Sequence, residues 1–327
     1  MPTLDMPLDE LREYRGTNPC PADHADYWSR ALTELRGVDP AVELRPAAFA
    51  SPVANCFDLY FTGVGGARIH AKLLKPKAHI PGATPLRPGL LHLHGYTCRA
   101  SDWTGLLQFA ASGFVTAAID VRGQAGESDD VGGHTGNTQA GHIIRGLTGE
   151  PDGLLYRQVF LDCAQLVGLL GAMEEVDADR LVTWGASQGG GLSLAASALA
   201  PVARTVALYP FLCDYQRVWD MDLCAGAYRE LRDFFRWQDP THARHDHWFH
   251  QLGYIDVQHL AHRIGGRVLM ACALADGICP PSTQFAAYNR IRAPKEVVIY
   301  PDFGHEVLTG FDDRAYAFIC ELLQPTH

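Results

Sequence analysis

The chain has 327 residues, with 27 Lys plus Arg against 37 Asp plus Glu and a formal net charge of −10. That balance disfavours nucleic acid as a partner, because phosphate binding needs a basic face. At 47% hydrophobic and 20% charged residues the composition argues against a disordered chain. A chain of this length buries roughly three quarters of its unfolded surface without disulfide or metal staples.

In chain order, residues 1–55 are expected to form a helical N-terminal extension. DYWSRALTELR, residues 26–36, places apolar side chains at helical spacing. The opening MPTLDMPLDELREYRG lacks the basic-then-apolar pattern of a signal peptide. CFDLYFTG and ARIHAKLLKP, around Gly63, Gly65 and Gly66, read as a hairpin. Six short apolar runs follow: GLLHLHG, FVTAAID, RLVTWG, TVALYP, RVLMACAL and EVVIYP. Helices are expected over residues 103–112, 154–173, 188–199, 281–291 and 312–323. Apolar strands alternating with helices predict an α/β fold with a mostly parallel sheet covered on both faces. About residues 211–264 hold no convincing strand and read as a helical insertion over the strand ends. The expected organisation is one domain over residues 1–327.

The nine cysteines include no CxxC pair, and Cys272 in LMACAL reads as a small buried hydrophobe. No run approaches the ~18 apolar residues of a membrane span. A reduced, cytoplasmic protein with no membrane association is the expectation.

WGASQGGG, Trp184 to Gly191, follows the strand RLVTW and precedes a helical run. It contains G-x-S-x-G, with Gly185, Ser187 and Gly189. A serine nucleophile on such a turn needs small flanking residues, because the turn is too tight for side chains. The helix that follows aims free N–H groups at the same spot, so the Gln188 N–H is a candidate oxyanion donor. An acid and then a histidine should follow, each just past a later strand. Asp276 follows RVLMACAL and His305 follows EVVIYP. Alone, each reads equally well as a loop residue; in this order they complete a Ser-His-Asp set.

GLLHLHG ends in His94-Gly95-Tyr96, where the loop would offer the Tyr96 N–H as second oxyanion donor. A metal pair of His92 and His94 is the rival reading, with no third ligand indicated. Arg122-Gly123-Gln124 follows FVTAAID. Arg122 reads first as a structural pin through its planar fork, with Glu306 as a candidate partner, and second as an anion clamp. His242, His245, His247 and His250, with His259 and His262 beyond, invite a metal site. No carboxylate or cysteine pattern completes one, so a solvated helical face is favoured and no metal is expected.

RGQ at 122–124, GASQGG at 185–190 and HE at 305–306 together resemble the acetyl xylan esterase and cephalosporin-C deacetylase family, carbohydrate esterase family seven. DYW (26–28), HGY (94–96), GH (141–142), YR (156–157), PPST (280–283) and FAAYN (285–289) extend the likeness along most of the chain. The resemblance implies an α/β-hydrolase fold and a cofactor-free serine esterase, a deacetylase of short xylo-oligosaccharides and cephalosporin C. It implies a cytoplasmic homohexamer, while the charge and the absence of a long apolar run leave no nucleic-acid or membrane partner expected. By motif position, Ser187, Asp276 and His305 would be catalytic and Tyr96 and Gln188 would form the oxyanion hole. A dienelactone-hydrolase-like or peptidase-like enzyme and a non-catalytic scaffold on the same fold are the alternatives.

Overall fold

The computed structural model describes residues 4–77, 86–131 and 138–323. Helices α1 (Leu8–Glu13) and α2 (His24–Arg36) precede β1 (Glu43–Pro46), β2 (Ala54–Thr62) and β3 (Arg68–Pro76). Strands and helices then alternate: β4 (Arg87–Leu93), α3 (Trp103–Ala111), β5 (Val115–Ile119), α4 (Leu155–Gly171), β6 (Val176–Ala186), α5 (Gln188–Leu199) and β7 (Arg204–Leu208). Four helices follow, α6 (Tyr215–Asp220), α7 (Arg229–Gln238), α8 (His245–Gly253) and α9 (Val257–Leu260), before β8 (Arg267–Ala273). The last elements are α10 (Pro281–Tyr288), β9 (Lys295–Tyr300) and α11 (Phe311–Cys320).

The sheet runs β1-β2-β3-β5-β4-β6-β7-β8-β9. Its first four strands pair antiparallel, and from β5 to β9 every neighbour is parallel. The period-two geometry of a strand divides the apolar runs between two cores. Leu91 and Leu93 of β4, with Val268 and Met270 of β8, face Trp28 of α2, Phe160 of α4 and Leu192 of α5. Leu90 and Leu269, their chain neighbours, face Phe109 of α3 and Phe311 and Phe318 of α11. Strands β5 and β7 are buried along their whole length, which is why they read as unbroken apolar runs.

The predicted insertion is present as α6 to α9, joined directly to the end of β7. The N-terminal expectation needs correction. Residues 1–55 are not helix and loop throughout, because ELRP forms β1, an edge strand paired antiparallel with β2. All four of its residues are exposed, so no apolar pattern announced it. Arg45 lies over the Tyr60 ring at 4.5 Å and pairs with Glu43; charges and a proline blunt the edge. Among the described residues, no helix is long and apolar enough to cross a membrane.

Trp28 ties three parts of this fold together. Its indole N–H donates to the Tyr254 carbonyl at 3.0 Å, and its ring stacks on Phe160 with centroids 5.9 Å apart. Replacing it with alanine removes that packing and leaves the carbonyl unpaired. Trp28→Ala should lower unfolding stability by about 3–5 kcal/mol in urea titration.

Candidate active site

Ser187 occupies the one residue between β6 and α5, with φ 56° and ψ −117°. A side chain other than glycine at positive φ stores strain, and two contacts over-determine it here. The Ser187 N–H donates to the Leu208 carbonyl at 2.9 Å, and its own carbonyl accepts from the Phe211 N–H at 2.9 Å. The turn closes only without side chains on its flanks. A Cβ at Gly185 would lie 2.4 Å from the Gly189 carbonyl carbon, and one at Gly189 would lie 2.0 Å from the Leu93 carbonyl oxygen.

His305 and Asp276 reach the serine from the loops after β9 and β8. His305 Nε2 lies 3.0 Å from Ser187 Oγ, and Nδ1 lies 2.8 Å from Asp276 Oδ2. The other Asp276 oxygen accepts the Ile278 and Cys279 N–H groups, each at 2.8 Å, so the fully buried carboxylate is satisfied. This chain of partners puts the proton of His305 on Nδ1 and leaves Nε2 to accept from the serine. The Tyr209 ring packs 4.4 Å from the imidazole and limits its swing. Cys279 brings its sulfur within 4.8 Å of the Asp276 and His305 ligand atoms. Burial pushes its thiol pKa well up, which disfavours a thiolate there.

The parallel register pairs Leu93 of β4 with Gly185 of β6 and sets the His94–Tyr96 loop beside the serine turn. The first helical bond of α5 runs from the Gly191 N–H to the Ser187 carbonyl, leaving the Gln188 N–H without an acceptor inside the helix. The Gln188 side chain braces the loop, its amide donating at 3.3 Å to both the His94 and Gly95 carbonyls. Its Oε1 accepts from Tyr156 Oη at 2.8 Å and from Gln124 Nε2 at 2.7 Å, while Gln124 Oε1 accepts the Thr97 N–H at 3.0 Å.

Residues 1–322 match the family model described as acetyl xylan esterase (AXE1). The chain belongs to the acetyl xylan esterase family. It is 55% identical to acetyl xylan esterase 1 from Thermoanaerobacterium sp. JW/SL YS485, with a TM-score of 0.94 over 98% of this chain and 100% of that one. An acetyl xylan esterase from Paenibacillus sp. R4 is 34% identical, with a TM-score of 0.89 over 96% and 99% of the two chains. Acetyl esterase Axe7A of Xylanibacter ruminicola is 28% identical over 292 residues, 86% of this chain. The chain spans 62% of the length of that curated relative.

In this acetyl xylan esterase family fold, Arg122 is a pin, but its partner is not Glu306. The guanidinium is fully buried and forks onto Asp162 of α4, both bonds 2.6 Å, with the Val64 carbonyl at 3.2 Å. Glu306 is exposed and accepts the Gly304 N–H at 2.9 Å. Arg122 turns into the core under β5, toward Asp162 of α4 and the Val64 carbonyl. Gly123 has φ 69°, a left-handed turn that sends Arg122 and Gln124 in different directions. His94 is committed as well: Nε2 accepts the Val121 N–H at 3.0 Å and Nδ1 bonds the Gly95 carbonyl at 2.8 Å. His242, His247, His250 and His262 are exposed, while His259 is buried edge-on to His24. His242 and His245 pack on Phe235 and Phe249 as aromatic rings. Among the described residues, the one constellation of three metal-ligand types is Asp276, Cys279 and His305, whose imidazole already serves Ser187 and Asp276.

Sequence reasoning missed Asp162 and Glu230, since nothing local marks a partner many residues away on a helix. Asp162→Ala would strand a buried guanidinium, and chemical denaturation should show a loss of about 3–5 kcal/mol. Glu306→Ala should stay within about 0.5 kcal/mol of wild type in the same titration.

Proposed function

We propose that this chain is a serine carboxylesterase that removes O-acetyl groups from small acetylated carbohydrates, xylo-oligosaccharides foremost. The observation that carries the reaction is the unbroken hydrogen-bond chain from Ser187 through His305 to buried Asp276 at a strained strand-to-helix turn. Family membership supports the substrate class, and the names of the Thermoanaerobacterium and Paenibacillus relatives point the same way.

Ser187 Oγ attacks the acetyl carbonyl carbon while its proton passes to His305 Nε2. The carbonyl oxygen becomes an oxyanion, held by the N–H groups of Tyr96 and Gln188. The carbon–oxygen bond to the sugar then breaks, and the departing oxygen takes the proton from His305. Water gives a proton to the same nitrogen, attacks the acetyl-enzyme and releases acetate, and Ser187 recovers its proton. Asp276 holds the imidazole in the required tautomer and stabilises its charged form throughout. No cofactor enters these steps.

Cephalosporin C belongs to the same proposal, as an acetyl ester of similar reach. The free cysteines support a reducing, cytoplasmic setting. The homohexamer rests on the family likeness alone, and light scattering of the purified protein tests it.

Ser187→Ala should reduce acetate release from acetylated xylobiose by about 10⁴-fold or more, with the fold intact. Near-normal turnover by that variant would sink the mechanism. On aryl esters, acetate should be cleaved faster than longer acyl chains, and a peptide amide should resist. Preference for the amide would instead favour a peptidase on the same fold.

A further inference from the structure

Glu230 is a buried carboxylate to which the acyl-transfer chemistry assigns no task. It stands in the first turn of α7, inside the insertion, and is 5% exposed. Donors converge on it from two other segments. The Tyr96 hydroxyl donates to Oε1, and the Ile143 and Ile144 N–H groups donate to Oε2 at 2.8 and 3.1 Å. Tyr96 Oη also accepts the His142 N–H at 3.4 Å, and the Tyr96 ring is held edge-on by Phe211 and His142. A cavity of about 460 Å³ opens beside this cluster, lined by Tyr96, Thr97, Gln139, Arg229, Glu230 and Asp233 among others.

Tyr96 is gripped through its phenol by Glu230 and through the next peptide, whose Thr97 N–H donates to Gln124. The peptide before Tyr96 is held at the Gly95 carbonyl, which accepts from Gln188 Nε2 at 3.3 Å and bonds His94 Nδ1 at 2.8 Å, so Glu230 supplies the hold at the side-chain end of Tyr96. We propose that Glu230 is a positioning residue for the reaction: its carboxylate, reaching in from the insertion, holds the Tyr96 phenol and thereby fixes the Tyr96 N–H at the oxyanion position. The inference rests on the esterase reading above.

A carboxylic acid at this place would turn one acceptor oxygen into a donor inside a ring of donors. Burial raises Glu230 to about 7, against the pull of Tyr96 and the backbone bonds. The other titratable groups facing it are Tyr96 on its loop, His142, Tyr156 of α4 and Tyr215 of α6, with Arg229 and Asp233 on its own helix. Burial raises all three tyrosines. Burial first, and Arg145 next, lower His142 to about 4. Glu230 is thus the member of the cluster that changes charge near neutrality. Above that point it is ionised and holds the phenol; as pH falls it takes a proton and the hold weakens.

The test measures kcat and KM on an aryl acetate between about pH 5 and pH 9 for wild type, Glu230→Gln, Tyr96→Phe and the double variant, with circular dichroism and Tm confirming the fold. Both single variants should lower kcat by roughly 10- to 100-fold with KM little changed. Wild type should lose more turnover than either variant as pH falls through about 7. The double variant should be no slower than the slower single, because both remove one contact. Tyr96→Phe keeps the main-chain N–H and carries the test if Glu230→Gln does not fold. A folded single variant with wild-type kcat, an acid-side loss in the variants equal to that of wild type, or additive losses would each overturn the proposal. Turnover that survives Ser187→Ala defeats the esterase reading instead, whatever the Glu230 variants do.

Discussion

The contact between Gly189 and the end of β4 governs the site. With a Cβ excluded there by the Leu93 carbonyl, the first turn of α5 seats directly against the neighbouring strand. That seating brings the Ser187 turn beside the His94–Tyr96 loop, and the Gln188 N–H at the start of α5 has no acceptor inside the helix, as the proposed oxyanion role requires. The strain at Ser187 follows from the same approach, because a strand that turns into a helix within one residue leaves no relaxed backbone conformation. His305 and Asp276 can then come from later strand ends on the same edge of the sheet, since parallel strands deliver all their carboxyl ends to one side.

Around this contact lies a shell of buried polar side chains that is unusual for a core. Gln188, Gln124 and Tyr156 share hydrogen bonds on one side, Arg122 and Asp162 form a closed fork on another, and Glu230 collects donors on the third. Each group would be costly to bury alone, and each is offset by partners from a different segment. The result is rigidity where a loop would otherwise move. The insertion is part of that shell: through Glu230 it reaches the loop after β4, so the helices over the strand ends shape the site as well as roof it.

Much of this was legible in the sequence, and the reason lies in the range of the forces involved. The parallel strands and their helices were visible because each buries a face or both faces, which stamps a period on the local pattern. Ser187, Asp276 and His305 were visible because a serine turn carries its own glycines and because chain order follows strand order. Strand β1 was not visible: its pairing is made by backbone groups at an exposed edge, and ELRP has no apolar period to show.

The sequence by itself determined the layered architecture, the serine turn and the three residues that meet there, since these depend on local sterics and on which stretches must leave water. Only the tertiary structure decided who partners whom. Arg122 had a plausible carboxylate beside His305, yet it binds Asp162, because it points into the core toward α4. Glu230 sits among several charged residues in RELRDFFRW and gains its place only when α7 folds over Tyr96. Long-range pairing depends on where two surfaces meet in space, and no single segment of chain contains that information.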